Sequence, residues 1–530
     1  MKTKYILPFV SLLAVTGHVS GQEATPPVEV IPGQMRVDEV MGLINKNYVE
    51  GPDMEKMSEA AINAMLKALD PHSVYIAAKD VERANESLQG NFEGVGISFQ
   101  IVSDTIVVSS VIDGGPSEKV GLQIGDKLLA IDGEKATGDS VNNQFVFKRL
   151  RGKKGTVVHL DVLRQGSVYN FEIVRDKVPI YSIDTYFMAE DGIGYIRLTR
   201  FARTSVDEFR KALRTLKKQG MKSLILDLRG NTGGFLDIAC NLSNEFLERG
   251  QLIVYTEGRT VRRQNFHANG RGQFREGDLV VLIDEGSASA SEIVSGAVQD
   301  WDRGTLVGRR SFGKGLVQRM FPLNDGGQIR LTTARYYTPS GRCIQRPYDE
   351  GSDAYRQDMS QRFKHGELVN VDSIHFPDSL KYRTHGGRLV YGGGGIMPDV
   401  FVPMDTVRLT DYYISLRGKG LLNSFPLKWA DEHRKDNAVK DFETYLANYD
   451  SFHLDSLLTA AAIAKGVVRD SVKEAAEPER TAHSDRYLRL VLKAQVAKDL
   501  FGMDYYYKVM KEVDDGYQRA VGILKNKQKR

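Results

Sequence analysis

The chain of 530 residues has few cysteines, little net charge and no metal-binding motif. Its two cysteines, Cys240 and Cys343, are too few for a disulfide framework, although an exported protein can still join such a pair. The formal net charge is only +4, from 72 basic and 68 acidic residues, which gives no support to a nucleic-acid-binding role. The chain lacks an HExxH motif and paired histidine spacing, so no metal site is predicted.

Long apolar runs are also missing beyond the amino terminus. No later stretch has the roughly 18 apolar residues that a membrane-spanning helix needs. Residues 1–21 combine Lys2 and Lys4 with an apolar segment and small residues before Gln22, a pattern typical of a cleavable signal peptide. We therefore expect an exported, periplasmic protein without a stable membrane span.

Hydrophobic periodicity divides the rest of the chain into four regions. Residues 31–91 have helical spacing, and residues 92–178 read as short alternating strands around one short helix. Residues 179–405 alternate strands with helices, which predicts an α/β sheet with reactive groups at the strand ends. Residues 406–530 are helix-rich and strongly charged and contain no catalytic motif, so we expect a helical extension used for packing or assembly.

The most informative segment is residues 280–318, VVLIDEGSASASEIVSGAVQDWDRGTLVGRRSFGKGLVQ. It places Ser287, Ser289 and Ser291 at a strand-to-helix turn, followed by Lys314 in a glycine-flanked loop. A serine hydroxyl needs a base, and lysine serves as one only when burial or nearby positive charge lowers its pKa. The pairing predicts a serine hydrolase with a lysine base, and leaves the nucleophile open among the three serines.

The same turn carries signals for a helix start and for an oxyanion site. Ser289 and Glu292 have the spacing of a capping box for a helix beginning near Ala290. A helix amino terminus favours a developing alkoxide, so capping and catalysis are compatible. The backbone N–H of Ala290 and the Gly233-Gly234 turn are the candidate oxyanion donors, although the glycines could simply close a turn.

Three other enzyme classes fit parts of this segment. Residues 308–314 match the GxxxxGK phosphate loop, but Gly315 stands where a Ser or Thr must reach Mg²⁺. Ser311 and Lys314 form an SxxK motif, but the SDN and KTG partners of penicillin-binding proteins are missing. A Ser-His-Asp hydrolase would need a histidine from a distant part of the chain, since none lies within the segment.

Residues 92–178 resemble a PDZ domain across their whole length. The resemblance rests on Gly94-Val95-Gly96-Ile97 before the first strand and on GLQIGDKLLAIDG in the middle. In such a domain the loop N–H groups receive a terminal carboxylate, and the strand beginning at Ile97 pairs with the incoming peptide. Arg151 either lies near this groove or is a solvated loop residue.

A wider resemblance covers residues 35–402. LDPHSVY, LDLRGNTGG, SASASE, FGKGLVQ and GGGGIMPDVFVP occur in the order typical of the carboxy-terminal processing, or tail-specific, protease family. These are serine endopeptidases with a Ser-Lys dyad and an embedded PDZ domain. The resemblance implies an α/β core of the ClpP/crotonase type with an inserted mainly-β PDZ domain and helical terminal parts.

The resemblance also assigns roles. Ser289 is the implied nucleophile, Lys314 the base and Gln318 the residue that orients the lysine, while the glycine pair helps to form the oxyanion hole. No cofactor is needed for this chemistry. The implied partners are proteins with exposed carboxy termini, and an adaptor or a homo-oligomer is left open. The alternative is an inert PDZ scaffold, which we would expect to have lost Ser289 or Lys314, and both are present.

Overall fold

The computed structural model describes residues 33–102, 104–406 and 409–529. They form two compact units divided after Ala64. The described part of the first unit contains α1 (Gln34–Asn47) and most of α2 (Met54–Leu69), which runs across the division. The predicted signal peptide at residues 1–21 lies outside the described residues.

The second unit opens with a strand inside the region predicted to be helical. β1 (Val74–Ile76) follows a turn in which the Asp70 carboxylate accepts hydrogen bonds from the backbone of His72 and Ser73. α3 (Ala78–Gln89) comes next. The helical prediction for residues 31–91 is therefore correct for three helices and wrong at β1, because tertiary strand pairing decides the conformation of so short a segment.

Residues 91–179 form the PDZ-like region. Its elements are β2 (Asn91–Gly94), β3 (Ile97–Val102), β4 (Thr105–Val111), α4 (Pro116–Lys119), β5 (Lys127–Ile131), β6 (Glu134–Lys135), α5 (Asn143–Leu150), β7 (Val157–Arg164), β8 (Ser167–Val174) and β9 (Asp176–Pro179). The main sheet has the order β3-β4-β5-β7-β8, which leaves β3 at one edge. β2 and β9 pair with each other, so the chain enters and leaves the region at the same place.

The next region alternates strands and helices, as the pattern predicts. Its elements are β10 (Ile183–Glu190), β11 (Ile193–Leu198), α6 (Ser205–Lys218), β12 (Ser223–Asp227), α7 (Leu236–Ser243), β13 (Leu252–Glu257), β14 (Gln264–His267), β15 (Leu279–Ile283), α8 (Ala290–Asp300), β16 (Thr305–Gly308), β17 (Leu316–Pro322), β18 (Gln328–Tyr337), α9 (Ser352–Lys364), β19 (Lys381–Arg383), β20 (Leu389–Tyr391) and β21 (Val400–Phe401).

Two larger sheets position the site. One has the order β10-β11-β12-β15-β16-β21 and is parallel except for the β10–β11 pair. Apolar residues of one face pack with α6, α7 and α8. The second sheet has the order β1-β18-β13-β14, with β17 also paired to β18. Cys240 and Cys343 are both free thiols, so they form no disulfide.

The carboxy-terminal region divides into two parts. Its elements are α10 (Asp411–Gly418), α11 (Leu421–His433), α12 (Phe442–Asn448), α13 (Leu454–Ala464), α14 (Ser471–Ala476), α15 (Pro478–Phe501), α16 (Met503–Met510) and α17 (Asp515–Gln528). Most of these helices share an apolar core of their own. α17 instead covers the second face of the parallel sheet, where Tyr517 and Leu524 pack with Ile225 and Val280. Within the described ranges no helix is both long and apolar enough to span a membrane.

Candidate active site

The turn between β15 and α8 holds Ser289 in a strained backbone conformation. Its φ is 55° and its ψ is −111°. A side chain other than glycine rarely adopts such angles, and the strain amounts to about 1–3 kcal/mol. Strain of this kind persists only where the surroundings enforce it, and it concentrates at functional sites.

The three serines of the turn have different surroundings. The Ser287 hydroxyl donates to the carbonyl of Leu228 at 2.8 Å, and the Ser291 hydroxyl donates to the carbonyl of Asn231 at 2.8 Å. Both serines are fully buried. Ser289 instead lines a cavity of about 310 Å³. Its hydroxyl is thus the one that faces space where a substrate can lie.

Lys314 and Gln318 line the same cavity and are bonded to each other. The Lys314 Nζ donates to the Gln318 Oε1 at 2.9 Å, and the Gln318 Nε2 donates to the His72 carbonyl. The carbonyl of His72 therefore fixes which end of the amide faces the lysine. Gln318 lies on β17, beside a register irregularity between Val317 and Gln318, so strand curvature rather than a helical turn brings the two side chains together.

The environment of Lys314 favours its neutral form. Burial lowers the pKa of the Lys314 amine, and the positive charge of Arg330 lowers it further, while Asp70 and Glu292 act in the opposite direction. A neutral amine can accept a proton, so the surroundings of Lys314 suit a general base.

One buried carboxylate ties the Ser289 turn to the Lys314 loop. The Glu292 Oε2 accepts the backbone N–H groups of Ser289 at 2.8 Å and Lys314 at 2.9 Å. Its Oε1 accepts the N–H of Gly313 at 2.7 Å and the hydroxyl of Ser311 at 2.5 Å. Burial raises the pKa of the Glu292 carboxyl and these four bonds oppose that rise.

The hydroxyl of Tyr336 makes a second connection between the two segments. It lies 2.7 Å from the Lys314 carbonyl oxygen and 3.1 Å from that of Ser289. Tyr336 is buried and belongs to β18, whereas Glu292 lies on α8. Two elements of the core therefore fix the relative positions of the serine and lysine backbones.

The glycine pair approaches the serine closely. A Cβ on Gly233 would lie 2.8 Å from the Ser289 Cβ and 2.9 Å from the Ala290 nitrogen, so no side chain fits there. The N–H of Gly233 is already engaged, since it donates to the Asn231 Oδ1 at 2.9 Å. This corrects the expectation that both glycines offer free donors.

Gly234 and Ala290 remain the candidate oxyanion donors. Phe201 bonds to the carbonyl of Gly233 and to the N–H of Phe235, so the backbone groups of Gly234 face away from Phe201. Ala290 is the first residue of α8, where an N–H has no partner within the helix. Both residues line the cavity.

A second cavity, of about 420 Å³, lies in the PDZ-like region between β3 and α5. Val95, Gly96 and Ile97 line it at one end. Gly94 lies outside it, at the end of β2, and pairs with Arg151. Arg151 lines the cavity and its guanidinium lies 2.6 Å from the Glu86 carboxylate of α3, so it is not a free, solvated loop residue.

Profiles of known families match both regions. The profile described as peptidase family S41 matches residues 192–350, and that of the PDZ domain matches residues 94–174. A carboxy-terminal-processing protease of Bartonella bacilliformis is 35% identical over 401 residues, which are 74% of this chain and 90% of the relative. The chain belongs to peptidase family S41. The predicted family and the predicted enzyme class, a serine-type peptidase, are thereby confirmed.

Other comparisons cover less or different parts of this S41 peptidase. The carboxy-terminal processing protease CtpB of Bacillus subtilis is 33% identical over 330 residues, which are 61% of the chain and 68% of the relative. The structure of the photosystem II D1 C-terminal processing protease covers 72% of the chain and 95% of its own, with 25% identity and a TM-score of 0.37. Residues 412–502 match a family of unknown function, DUF8443.

The geometry of the S41 peptidase disagrees with the three other enzyme classes. Ser311 of the SxxK motif is fully buried, bonded to Glu292 and to the N–H of Ile396. The loop at residues 309–315 joins two strands, whereas a phosphate loop leads into a helix. Among the described residues, no histidine lines the cavity. No described cluster of three or more His, Cys, Asp or Glu has the arrangement of a metal site.

The residues that hold this site together are not predicted as such from the sequence. The capping-box spacing predicts Glu292 only as a helix cap, and no sequence pattern assigns a role to Tyr336 or Asn231. The capping-box spacing does indicate that Glu292 lies close to the site, because its partner in the box is the candidate nucleophile Ser289. Asn231 lies in the LDLRGNTGG motif, so its position next to the glycine pair was visible in the sequence. For Tyr336 the sequence offers no comparable signal, because its bonds reach segments far apart in the chain.

Proposed function

We propose that this S41 peptidase is an exported endopeptidase that captures substrate carboxy termini in its PDZ groove and cleaves peptide bonds with Ser289 and Lys314. The observation that carries the proposal is the shared cavity, in which Ser289 stands on a strained turn beside a largely buried lysine held by Gln318. The inert-scaffold alternative gives no reason for this strain or for a desolvated lysine.

The proposed chemistry is acyl transfer in two steps. Neutral Lys314 takes the proton of the Ser289 hydroxyl while its oxygen attacks the substrate carbonyl carbon, and the carbonyl electron pair moves to the oxygen. The resulting oxyanion accepts hydrogen bonds from the N–H groups of Ala290 and Gly234, and each such donor is worth about 3–4 kcal/mol in other enzymes. The intermediate then expels the amine, which takes the proton from protonated Lys314 and leaves an acyl-enzyme.

Water completes the proposed cycle. Lys314, neutral again, takes a proton from water as its oxygen attacks the ester carbon, and the second intermediate releases the acid. The Ser289 oxygen recovers its proton from Lys314. Gln318 makes its contribution by orienting the amine, because its own amide is held by the His72 carbonyl.

Recognition is assigned to the groove beside β3. Among the described residues no strand pairs with the outer edge of β3, so that edge can add a peptide strand. Residues 95–97, which line the groove, supply loop N–H groups for the terminal carboxylate. Val146 and Phe147 of α5 line the opposite wall, which suits an apolar last residue. Export to the periplasm is proposed from residues 1–21, and a mature protein that begins at Gln22 would support it.

The test uses one unfolded substrate in three forms: with a free apolar carboxy terminus, amidated, and extended by two Asp. We expect fast cleavage of the first form alone, loss of cleavage in Ser289→Ala and Lys314→Ala, and retention of uncut substrate by Ser289→Ala in a pull-down. Cleavage that survives Lys314→Ala would contradict the dyad. Equal rates for the three forms would contradict selection of carboxy termini while leaving the peptidase chemistry intact.

A further inference from the structure

Positive charge lines the cavity that holds Ser289 and Lys314. Arg200, Lys314 and Arg330 line it, and no Asp or Glu does so among the described residues. Its other lining side chains are mostly apolar. Because Lys314 is the proposed base and favours its neutral form, the two arginines are the fixed cations of the cavity.

Neither arginine has a carboxylate partner among the described ion pairs. Arg330 donates from its Nη2 to the Ala84 carbonyl at 2.8 Å and to the Asn85 Oδ1 at 3.0 Å. Arg200 makes one long contact, from its Nη1 to the Ser87 hydroxyl at 3.4 Å. The Nε atoms of both side chains are buried without a hydrogen-bond partner. Within the described ranges, the hydrogen-bond partners of these two side chains are neutral groups of α3.

This differs from the pattern of neighbouring arginines. Arg203 pairs with Asp237, Arg197 lies near Asp184, and Arg229 bridges Asp227 and Asp514. A partly buried guanidinium without a counter-ion is costly unless a ligand supplies the charge. Burial lowers the pKa of Arg330, because a desolvated guanidinium is less stable in its charged form.

The pairing of β17 with β18 places Arg330 in the wall of the cavity that holds Ser289 and Lys314. β17 pairs with β18 so that Met320 stands opposite Arg330, and both residues line the cavity. Arg319, one residue earlier on β17, is exposed and is not part of the cavity wall. A substrate segment that lies along the cavity therefore meets Arg330 on one strand and Arg200 in the loop after β11.

We propose that Arg200 and Arg330 form a specificity subsite that binds a substrate carboxylate close to the cleaved bond. Arginine suits this role, because its planar fork of donors pairs with both oxygens of a carboxylate. The proposal rests on the proposed function and adds a preference that the PDZ groove cannot supply. An acidic side chain is the favoured source, since the PDZ groove is the assigned site for the terminal carboxylate.

The experiment measures kcat/KM on peptides with a fixed apolar carboxy terminus. Asp or Asn, and Glu or Gln, are placed in turn at each of about three positions on either side of the cleaved bond. We expect the acidic member of a pair to be preferred by about tenfold or more at one position at least, the effect of a charge-assisted hydrogen bond. Arg200→Gln should reduce this ratio to about one, and Arg330→Lys should retain part of it.

Arg319→Gln is the matched control, because it removes the same charge from the same sheet outside the cavity. It should leave the acidic-to-neutral ratio unchanged. Peptides with a free or amidated terminus, cut within a few residues of the end, distinguish an acidic side chain from the terminal carboxylate as the bound group. If Arg330→Lys fails to fold, Arg200→Gln carries the test.

The outcomes separate this proposal from the one before it. Ser289-dependent cleavage with equal rates for acidic and neutral peptides at every position would overturn the subsite and leave the proposed function standing. An equal fall of the ratio in Arg200→Gln and Arg319→Gln would also overturn it, since that result indicates general surface charge. A wild-type enzyme that cleaves none of the peptides would contradict the proposed function itself.

Discussion

The Lys314 amine and the Gln318 amide oxygen lie 2.9 Å apart although a β-strand, and not a helix, separates them. A regular strand points residues four apart in one direction but about 13 Å from each other. Lys314 precedes β17, and the register irregularity at Val317 and Gln318 turns the chain at this point. The pair therefore forms where the loop before β17 meets the irregular start of the strand.

The pH dependence of cleavage tests the state of the lysine. Lys314 acts only when neutral, so kcat/KM should rise as pH rises through the Lys314 pKa, which burial and Arg330 hold below its ordinary value. Arg330→Gln removes a positive charge, so the Lys314 pKa should rise and the activity limb should move to higher pH. Neutral peptides are used for this measurement, and Arg319→Gln should leave the limb in place. A limb that does not move in Arg330→Gln would contradict the assignment.

Gly233→Ala, which adds a methyl group, should abolish activity. Its Cβ would lie 2.8 Å from both the Ala288 carbonyl oxygen and the Ser289 Cβ, and φ is 102°, a conformation that alanine rarely adopts. Gly230→Ala is the control in the same loop, because its φ is also positive, at 67°, but its Cβ meets open space. We expect Gly230→Ala to lose about 1 kcal/mol of unfolding free energy and to keep measurable activity. Similar activities in the two variants would disprove the close approach.

Glu292→Gln should lower both activity and stability. Each carboxylate oxygen of Glu292 accepts two donors, so a glutamine must turn its NH₂ group towards two other donors. We expect the unfolding free energy to fall by about 2–3 kcal/mol and kcat by about 100-fold or more. Glu285→Gln is the comparison, because it breaks only the partly exposed pair with Arg309. Calorimetry and steady-state kinetics would show whether Glu292→Gln loses more stability and activity than Glu285→Gln.

Asp499 should make the stability of the carboxy-terminal helices depend on pH. Burial raises the pKa of this carboxyl to about 6, although Lys498 partly offsets the effect. Its folded-state pKa thus exceeds its unfolded value, so the stability that protonation provides is full at low pH and is lost as pH rises past 6. Asp499→Asn should therefore raise the melting temperature at pH 8 by a few degrees and change it little at pH 4. Glu443→Gln, an exposed change of the same charge, should leave the melting curves unaltered at both pH values.

The sequence by itself determined the family, the order of the regions and the chemical types at the site. Periodicity predicted the alternation of strands and helices over residues 179–405, because apolar spacing follows directly from which face of an element is buried. The family motifs identified Ser289, Lys314 and Gln318 as candidate site residues, because motifs that occur in a fixed order are specific. Without the family resemblance the sequence could not identify the nucleophile among the three serines, because they have the same residue type and similar local spacing.

Only the tertiary structure decided the questions that depend on contacts between distant segments. The hydroxyls of Ser287 and Ser291 donate to the carbonyls of Leu228 and Asn231, so Ser289 is the serine of the turn whose hydroxyl faces the cavity. β1 forms because a distant strand pairs with it, and α17 covers the parallel sheet more than a hundred residues after β21. The sequence also cannot show that Arg200 and Arg330 have no carboxylate partner among the described residues, because ion pairing depends on which distant segments the fold brings together.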